Sequence, residues 1–318
     1  MGTPRIKMKP RRVVVGASQF DEIARGIRAA RPDLEVRGSE LADVTADDLA
    51  WADTFTGFRR PRLPTMGNVR WVHCTGAGVD AWLYPVELSK DILLTRTPES
   101  FGPMIAEWAL ARALAFTQQI VDLSDHQRKH EWAQRDIPML RGTTAVILGT
   151  GDVGTHVGRL FAACGCVVRG VSRSGNGDRS VFASTHRVDA LEELAAAADW
   201  LVVTLPLTAA TDGLVSRRVL AACRGAVLLS AGRGAVVDES ALPDALSAGW
   251  LRGAALDVFT AEPLPPESPL WSDPRVMISP HISGITTIGG AVNGFLECLL
   301  EIEQGVIPAR TVDRERQY

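Results

Sequence analysis

The stretch Ala145-Val-Ile-Leu-Gly149-Thr150-Gly151-Asp152-Val153-Gly154 constrains this chain more than any other, because an apolar run feeds straight into glycine-spaced residues. The run reads as a buried strand, and Val153, Val157, Leu160 and Phe161 then repeat along one face of a helix. Gly149 permits a tight turn and Gly151 lets a phosphate approach the backbone. Gly154, with Gly158 one turn on, lets the helix lie against the sheet. A helix start also offers unpaired N–H groups and the positive end of its dipole. The segment therefore predicts a dinucleotide site lined by Gly149, Thr150, Gly151, Asp152, Val153 and Gly154.

The rest of the 318 residues alternates short apolar runs with helical patterns, the signature of α/β folding on parallel sheets. A first series predicts strands at Arg12–Val15, Leu34–Arg37, Thr54–Thr56, Trp71–Cys74 and Ile92–Leu94, with a helix over Phe20–Ala30. Gly102-Pro103 then opens one long helix from Met104 to about His130, Pro103 suiting a first helical turn. The second series predicts strands at Ala145–Leu148, Val167–Val171, Trp200–Thr204, Ala226–Ser230, Ala254–Val258 and Val276–Ser279. Helices are expected over Ala190–Ala198, Glu239–Ala248 and, last, Thr287 to Glu303. The long helix and the last one are placed to cross between domains. That divides the chain into residues 1–103 with 287–318, and an inserted dinucleotide-binding domain at 104–286.

Charge and composition exclude several roles. Thirty-four basic against 37 acidic residues leave a net −3, and no basic block is long enough to track a nucleic-acid backbone. The cluster Arg5–Arg12 reads as a solvated chain end. No stretch has the roughly 18 apolar residues of a membrane span, and Val13–Val15 is too short for a signal segment. Cys74, Cys164, Cys166, Cys223 and Cys298 have neither metal-ligand nor disulfide-framework spacing, which predicts no metal site and a reducing cytoplasm.

Three later segments carry residues that burial does not explain: Leu229-Ser-Ala231-Gly232-Arg233-Gly234, Asp257-Val-Phe-Thr-Ala-Glu262-Pro263, and Ile278-Ser-Pro-His281. In open α/β sheets ligands bind beyond the carboxyl ends of strands, so all three are expected to converge on one crevice. Together they suit reduction of a keto acid. Arginine is a permanently charged bidentate clamp for a carboxylate. Histidine is an acid/base for neutral pH, and a carboxylate beside it fixes the ring and favours its charged form. Singly, each has an ordinary surface reading. His73, His126, His130, His156 and His186 lack such company, although His126 and His130 are expected on one helical face without a third ligand.

The end of the second cofactor-domain strand commonly carries an acidic residue for an adenine ribose. Ser172-Arg173-Ser174 stands there instead, 21 residues after Gly151. Arg173 suits a 2′-phosphate, with the serines as neutral donors, so NADP(H) is favoured and NAD(H) remains open.

These motifs resemble those of the D-isomer-specific 2-hydroxyacid dehydrogenases over nearly the whole chain, from Gly76-Ala77-Gly78-Val79-Asp80 to Ser279-Pro280-His281. Ser230-Ala-Gly-Arg-Gly-Ala-Val-Val-Asp238-Glu239 is similar to the family's most specific signature. The steps of 29 residues from Arg233 to Glu262 and 19 from Glu262 to His281 also fit. The resemblance implies a doubly wound Rossmann cofactor domain inserted into a flavodoxin-like substrate domain, commonly in a homodimer. It implies that Arg233 grips the substrate, His281 protonates the keto oxygen and Glu262 supports His281. Ala77, Gly78 and Val79 would bind the substrate carboxylate through their N–H groups. Thr204, Leu205 and Pro206 would line the adenosine half, Ala231 and Gly232 would also contact the cofactor, and Asp257 would lie near the carboxamide end of its nicotinamide. Ser172-Arg173 is similar to the NADPH-dependent glyoxylate/hydroxypyruvate reductases, whereas Thr97–Phe101 lacks the asparagine-rich look of many members. Glutamate at 262 argues against formate dehydrogenase, and the absence of a regulatory domain after residue 318 against a large phosphoglycerate dehydrogenase. A nicotinamide-sensing co-regulator on the same fold is the alternative.

Overall fold

The structure, a computed structural model, describes residues 7–84, 86–97 and 101–317. Arg5 of the basic cluster, and Pro98, Glu99 and Ser100 of the segment before the long helix, lie outside the described residues. Contacts divide the chain into two compact units, Met1–Glu99 with Thr286–Tyr318, and Ser100–Ile285. Among the described residues no helix is long and apolar enough to cross a membrane.

The first unit runs β1 (Arg12–Gly16), α1 (Phe20–Ala30), β2 (Glu35–Ser39), α2 (Ala46–Trp51), β3 (Thr54–Thr56), β4 (Trp71–Cys74), α3 (Asp80–Leu83) and β5 (Leu93–Arg96). Its strands are all parallel in the order β2-β1-β3-β4-β5, the flavodoxin-like arrangement. The period of two in β1 sends Val14 to one core with Phe55, Trp82 and Leu94, and Val13 and Val15 to the other. The last helix (Ile288–Glu303) completes that second core, Phe295 stacking on Trp71 with ring centroids 4.8 Å apart. Thr287 starts this helix by accepting from the Gly290 N–H. After it, Thr311 bridges to Thr95, and the Arg314 guanidinium donates to the carbonyls of Leu88, Ser89 and Ile92. The short helix α2 has a capping box between Thr45 and Asp48 that the sequence reading overlooks.

The second unit runs α4 (Phe101–Thr117), α5 (Ile120–Arg128), β6 (Thr144–Leu148), α6 (Asp152–Ala163), β7 (Val167–Val171), β8 (Ser184–His186), α7 (Leu191–Ala196), β9 (Trp200–Val203), α8 (Arg217–Ala222), β10 (Ala226–Ser230), α9 (Leu242–Ser247), β11 (Leu251–Leu256) and β12 (Val276–Ile278). Seven parallel strands lie in the order β12-β11-β10-β9-β6-β7-β8. The direction of strand addition reverses between β6 and β9, a doubly wound sheet with its switch point there.

Three expectations need correction. The helix expected from Met104 to His130 is two helices, because Gln119 adopts a left-handed conformation with φ of 50°. Its amide accepts from Arg135 and donates to the Asp136 carbonyl, bonds that hold the chain out of helix. His130 therefore lies past the end of α5, and His126 has a partner of its own, its Nδ1 2.6 Å from Glu131. The strand expected at Ala254–Val258 occupies Leu251–Leu256 instead, freeing Asp257 and Val258 from the ladder. The strand β8 has no apolar alternation and carries no sequence signal.

His73 is wholly buried on β4. Its Nδ1 is 2.9 Å from the Thr95 hydroxyl and its Nε2 2.9 Å from that of Thr97. Burial first, and the nearby Arg310 charge second, push its pKa from 6.5 down to about 3. The unfolded chain therefore takes up a proton between those values that the folded chain refuses. The His73 contribution to stability is full above about pH 6.5 and drains as pH falls toward 3. Between pH 6.5 and 5 this site should cost the first unit about 2 kcal/mol. Denaturant titrations at the two pH values should show that loss in wild type and a smaller one in His73→Gln.

Candidate active site

Parallel register assembles the site. Ser230 pairs with Leu256 and Leu256 with Ile278, so β10, β11 and β12 end side by side. Arg233 follows the first of these ends by three residues, Asp257 the second by one, and His281 the third by three. All lie at the carboxyl edge of one sheet.

Two glycines lock the arginine loop between its neighbours. A Cβ on Gly232 would lie 2.4 Å from the Leu205 carbonyl oxygen, and one on Gly234 2.0 Å from the carbonyl carbon of Phe259. Neither position tolerates a side chain. Arg233 has extended backbone between them, and its Nη1 donates to the Gly232 carbonyl at 2.9 Å. The loop that Gly234 touches is the one that carries Glu262. There Glu262 Oε1 accepts from the Phe259 N–H at 3.1 Å, while Oε2 meets His281 Nδ1 at 2.8 Å. A carboxylate only accepts, so Nδ1 carries the hydrogen and Nε2 is the nitrogen left to exchange a proton with a ligand. His281 and Glu262 side chains are 30% and 23% exposed, screened yet reachable.

His281 itself is left-handed, with φ of 54°. Such a conformation persists only where the surroundings impose it. Here its N–H donates to the Asp257 carbonyl at 2.8 Å. The Asp257 side chain, fully buried, accepts from the Ser279 hydroxyl, the Ile282 N–H at 3.0 Å and the Ser283 N–H at 2.8 Å. The sequence reading directs Asp257 toward the nicotinamide. In the structure its carboxylate is engaged in holding the histidine loop. Ser279, which that reading passes over, receives the indole N–H of Trp108 at 2.9 Å. No local pattern marks Trp108, which lies 171 residues away.

The glycine loop sits at the switch point. Gly149 has φ of 102°, and its N–H donates to the Val171 carbonyl at 2.8 Å. A Cβ on Gly154 would fall 1.7 Å from the Gly149 carbonyl oxygen, so the first turn of α6 presses on the loop. One on Gly158 would meet Val181 at 2.7 Å. At Gly151 a Cβ would meet nothing within 4 Å, so the space beside it at the start of α6 is open, where a helix offers unpaired N–H groups. Beside the loop, Thr204 donates its hydroxyl to the Leu148 carbonyl at 2.9 Å, and Leu205 and Pro206 continue from it. Ala231 donates its N–H to the Val203 carbonyl at 3.1 Å. This cradle fits a dinucleotide pyrophosphate.

In the loop after β7, where the sequence reading places the ribose, the hydroxyls of Thr150 and Ser172 both donate to the Asn176 carbonyl, at 2.5 and 3.0 Å. The Ser172 hydrogen is therefore spent within the loop, against its expected use as a phosphate donor. The Ser174 oxygen accepts from the Asn176 N–H at 3.3 Å, which leaves its own hydrogen to donate. Arg173 stands between the two serines. Ala77, Gly78 and Val79 belong to the first unit, on the loop from β4 to α3. There Arg96 Nη1 donates to the Ala77 carbonyl at 2.9 Å and Cys74 Sγ to that of Gly78 at 3.4 Å. Among the described residues no three His, Cys, Asp or Glu side chains gather as a metal ion requires.

Comparison with known proteins adds four findings. Residues 110–283 match the D-isomer specific 2-hydroxyacid dehydrogenase NAD binding domain. A glyoxylate/hydroxypyruvate reductase A from Serratia proteamaculans is 32% identical over 305 residues, covering 92% of this chain and 95% of that protein. A D-isomer specific 2-hydroxyacid dehydrogenase from Xanthobacter autotrophicus Py2, in complex with NADPH and MES, superposes with a TM-score of 0.85. It is 31% identical and covers 98% of this chain and 100% of its own. An NADPH-dependent glyoxylate/hydroxypyruvate reductase from Sinorhizobium meliloti, in complex with NADP and sulfate, gives 0.83 at 28% identity, covering 97% and 100%.

The two kinds of glycine make opposite predictions. Gly151→Ala should leave the melting temperature within about 2 °C of wild type, its Cβ meeting only open space. It should still weaken NADPH binding, read by nicotinamide fluorescence, by about tenfold or more, roughly the worth of one lost close contact. Gly154→Ala should lower both stability and affinity, because its Cβ strikes backbone. Equal melting temperatures for the two variants would contradict the contrast.

Proposed function

The chain belongs to the D-isomer specific 2-hydroxyacid dehydrogenase family, and we propose that it reduces glyoxylate or hydroxypyruvate with NADPH through Arg233, Glu262 and His281. It is an NAD(P)-dependent oxidoreductase. The observation that carries the catalytic reading is the 2.8 Å bond between Glu262 and a histidine whose backbone is fixed on both sides.

Arg233 supplies a fixed positive charge for the substrate carboxylate and polarises the neighbouring keto oxygen. The glycines on either side hold its backbone, so little ordering is left for the moment of binding. Glu262 keeps the imidazole in one tautomer, directing Nε2 to the keto oxygen. His281 then delivers a proton to that oxygen as C2 gains a hydride, which yields the 2-hydroxy acid. When bound, the reduced nicotinamide would supply that hydride. Gly149–Gly154 and Thr204–Pro206 would hold the dinucleotide, and Ala77, Gly78 and Val79 are the first unit's candidates for carboxylate binding.

NADPH as the preferred partner is supported by Arg173 and by the cofactors bound in the Xanthobacter and Sinorhizobium proteins. NADH remains usable, since Ser172 and Ser174 carry no charge against it. A homodimer is supported by apolar residues left outward on and after α5. Ile120 is 50% exposed, Trp132 97% and Met139 69%. Sedimentation should give twice the 34.2 kDa chain mass. The five free cysteines support a reducing compartment such as the cytoplasm.

Turnover of a panel of 2-keto acids with both cofactors tests the central reading. Wild type should oxidise NADPH with glyoxylate or hydroxypyruvate. His281→Ala should lose about two to four orders of magnitude in kcat with NADPH affinity nearly intact. Arg173→Asp should reverse the cofactor preference. Tight NADPH binding without turnover on any acid would replace the reductase with a nicotinamide-sensing protein.

A further inference from the structure

A proton donor held in left-handed backbone needs something to hold it there. Around His281 that work falls to Asp257, whose carbonyl takes the His281 N–H while its carboxylate takes the Ile282 and Ser283 N–H groups and the Ser279 hydroxyl. One buried residue thus grips the loop before, at and after the histidine.

The bond from Ser279 has a direction that can be worked out. An indole N–H only donates, so Trp108 must give its hydrogen to Ser279 Oγ, at 2.9 Å. A serine hydroxyl carries a single hydrogen, which is then turned to the Asp257 carboxylate. Bonds polarised head to tail in this way strengthen one another away from water. Trp108 also does not act from an isolated spot. Phe101, Ile105 and Trp108 share one face of α4, and the first two pack against Gly284, where an added Cβ would lie 3.1 to 3.2 Å from them. The same helix face therefore meets the histidine loop through Ser279 at one end and Gly284 at the other.

We propose that Trp108 is a positioning residue for the proton transfer, acting on His281 through Ser279 and Asp257. This rests on His281 being the proton donor, as read above. Trp108 touches no reacting atom. Its N–H sets the Ser279 hydroxyl, the hydroxyl completes the Asp257 grip, and the grip keeps the imidazole in line with Glu262. Phenylalanine at 108 fills most of the same volume but leaves Ser279 free to turn its hydrogen elsewhere.

Trp108→Phe, Ser279→Ala and the double variant test this with NADPH and the best keto acid of the panel. Each single variant should lower kcat by about tenfold with KM and NADPH affinity within about twofold of wild type. The double variant should be no worse than Ser279→Ala, since both changes break one chain. Hydrogen exchange in a peptide spanning residues 279–285 should quicken in all three, independently of turnover. Unchanged kcat and exchange in Trp108→Phe would overturn the proposal, as would losses that multiply in the double variant or fall on KM and thermal stability instead. If wild type reduces no keto acid, the reductase reading fails, and the exchange comparison alone decides the positioning chain.

Discussion

Close backbone contact at Gly234 is the constraint on which the rest of the site depends. Parallel register can bring the ends of β10, β11 and β12 side by side, but it does not fix how the loops beyond them lie. A side chain at 234 would come within 2.0 Å of the Phe259 carbonyl carbon, so the arginine and glutamate loops can meet only if that residue is glycine. Once they meet, the Phe259 N–H is placed to hold Glu262, and Glu262 to hold His281. The polar pair thus inherits its geometry from a packing event between backbones.

The histidine loop adds a second layer of restraint. Asp257 is a buried charge, which folding accepts only when donors surround it. Here its donors are two amides and a hydroxyl, all from the segment that flanks His281. The cost of burying the carboxylate therefore falls due whenever that segment strays, which couples burial to precision at the site.

Most of the architecture is legible in the sequence because it follows from periodicity. The runs at Thr54–Thr56, Trp71–Cys74, Val167–Val171 and Ala226–Ser230 are strands at the residues their apolar character marks. The candidate site is legible where a residue breaks that character, as Arg233 does between two glycines. What stays hidden is settled by partners distant in the chain. Gln119 breaks a helix because Arg135 and Asp136 claim its side chain, and no pattern around residue 119 announces that. Asp257 reads as a cofactor contact through the family resemblance, while the donors to its carboxylate follow more than 20 residues later. The hydroxyl of Ser172 reads as available until Asn176 is seen to take it. The strand β8 is partly buried at a sheet edge and needs no apolar alternation to pair.

That shared acceptor at Asn176 bears on how such a chain changes over generations. Two hydroxyls close the loop after β7 on one carbonyl, so its shape is set by the chain's own hydrogen bonds. A loop built this way does not have to be redesigned to favour a different cofactor. On the cofactor reading proposed for Arg173, the charge at residue 173 can be exchanged while the frame stays still, and a single codon then moves the enzyme from one metabolic redox pool toward another.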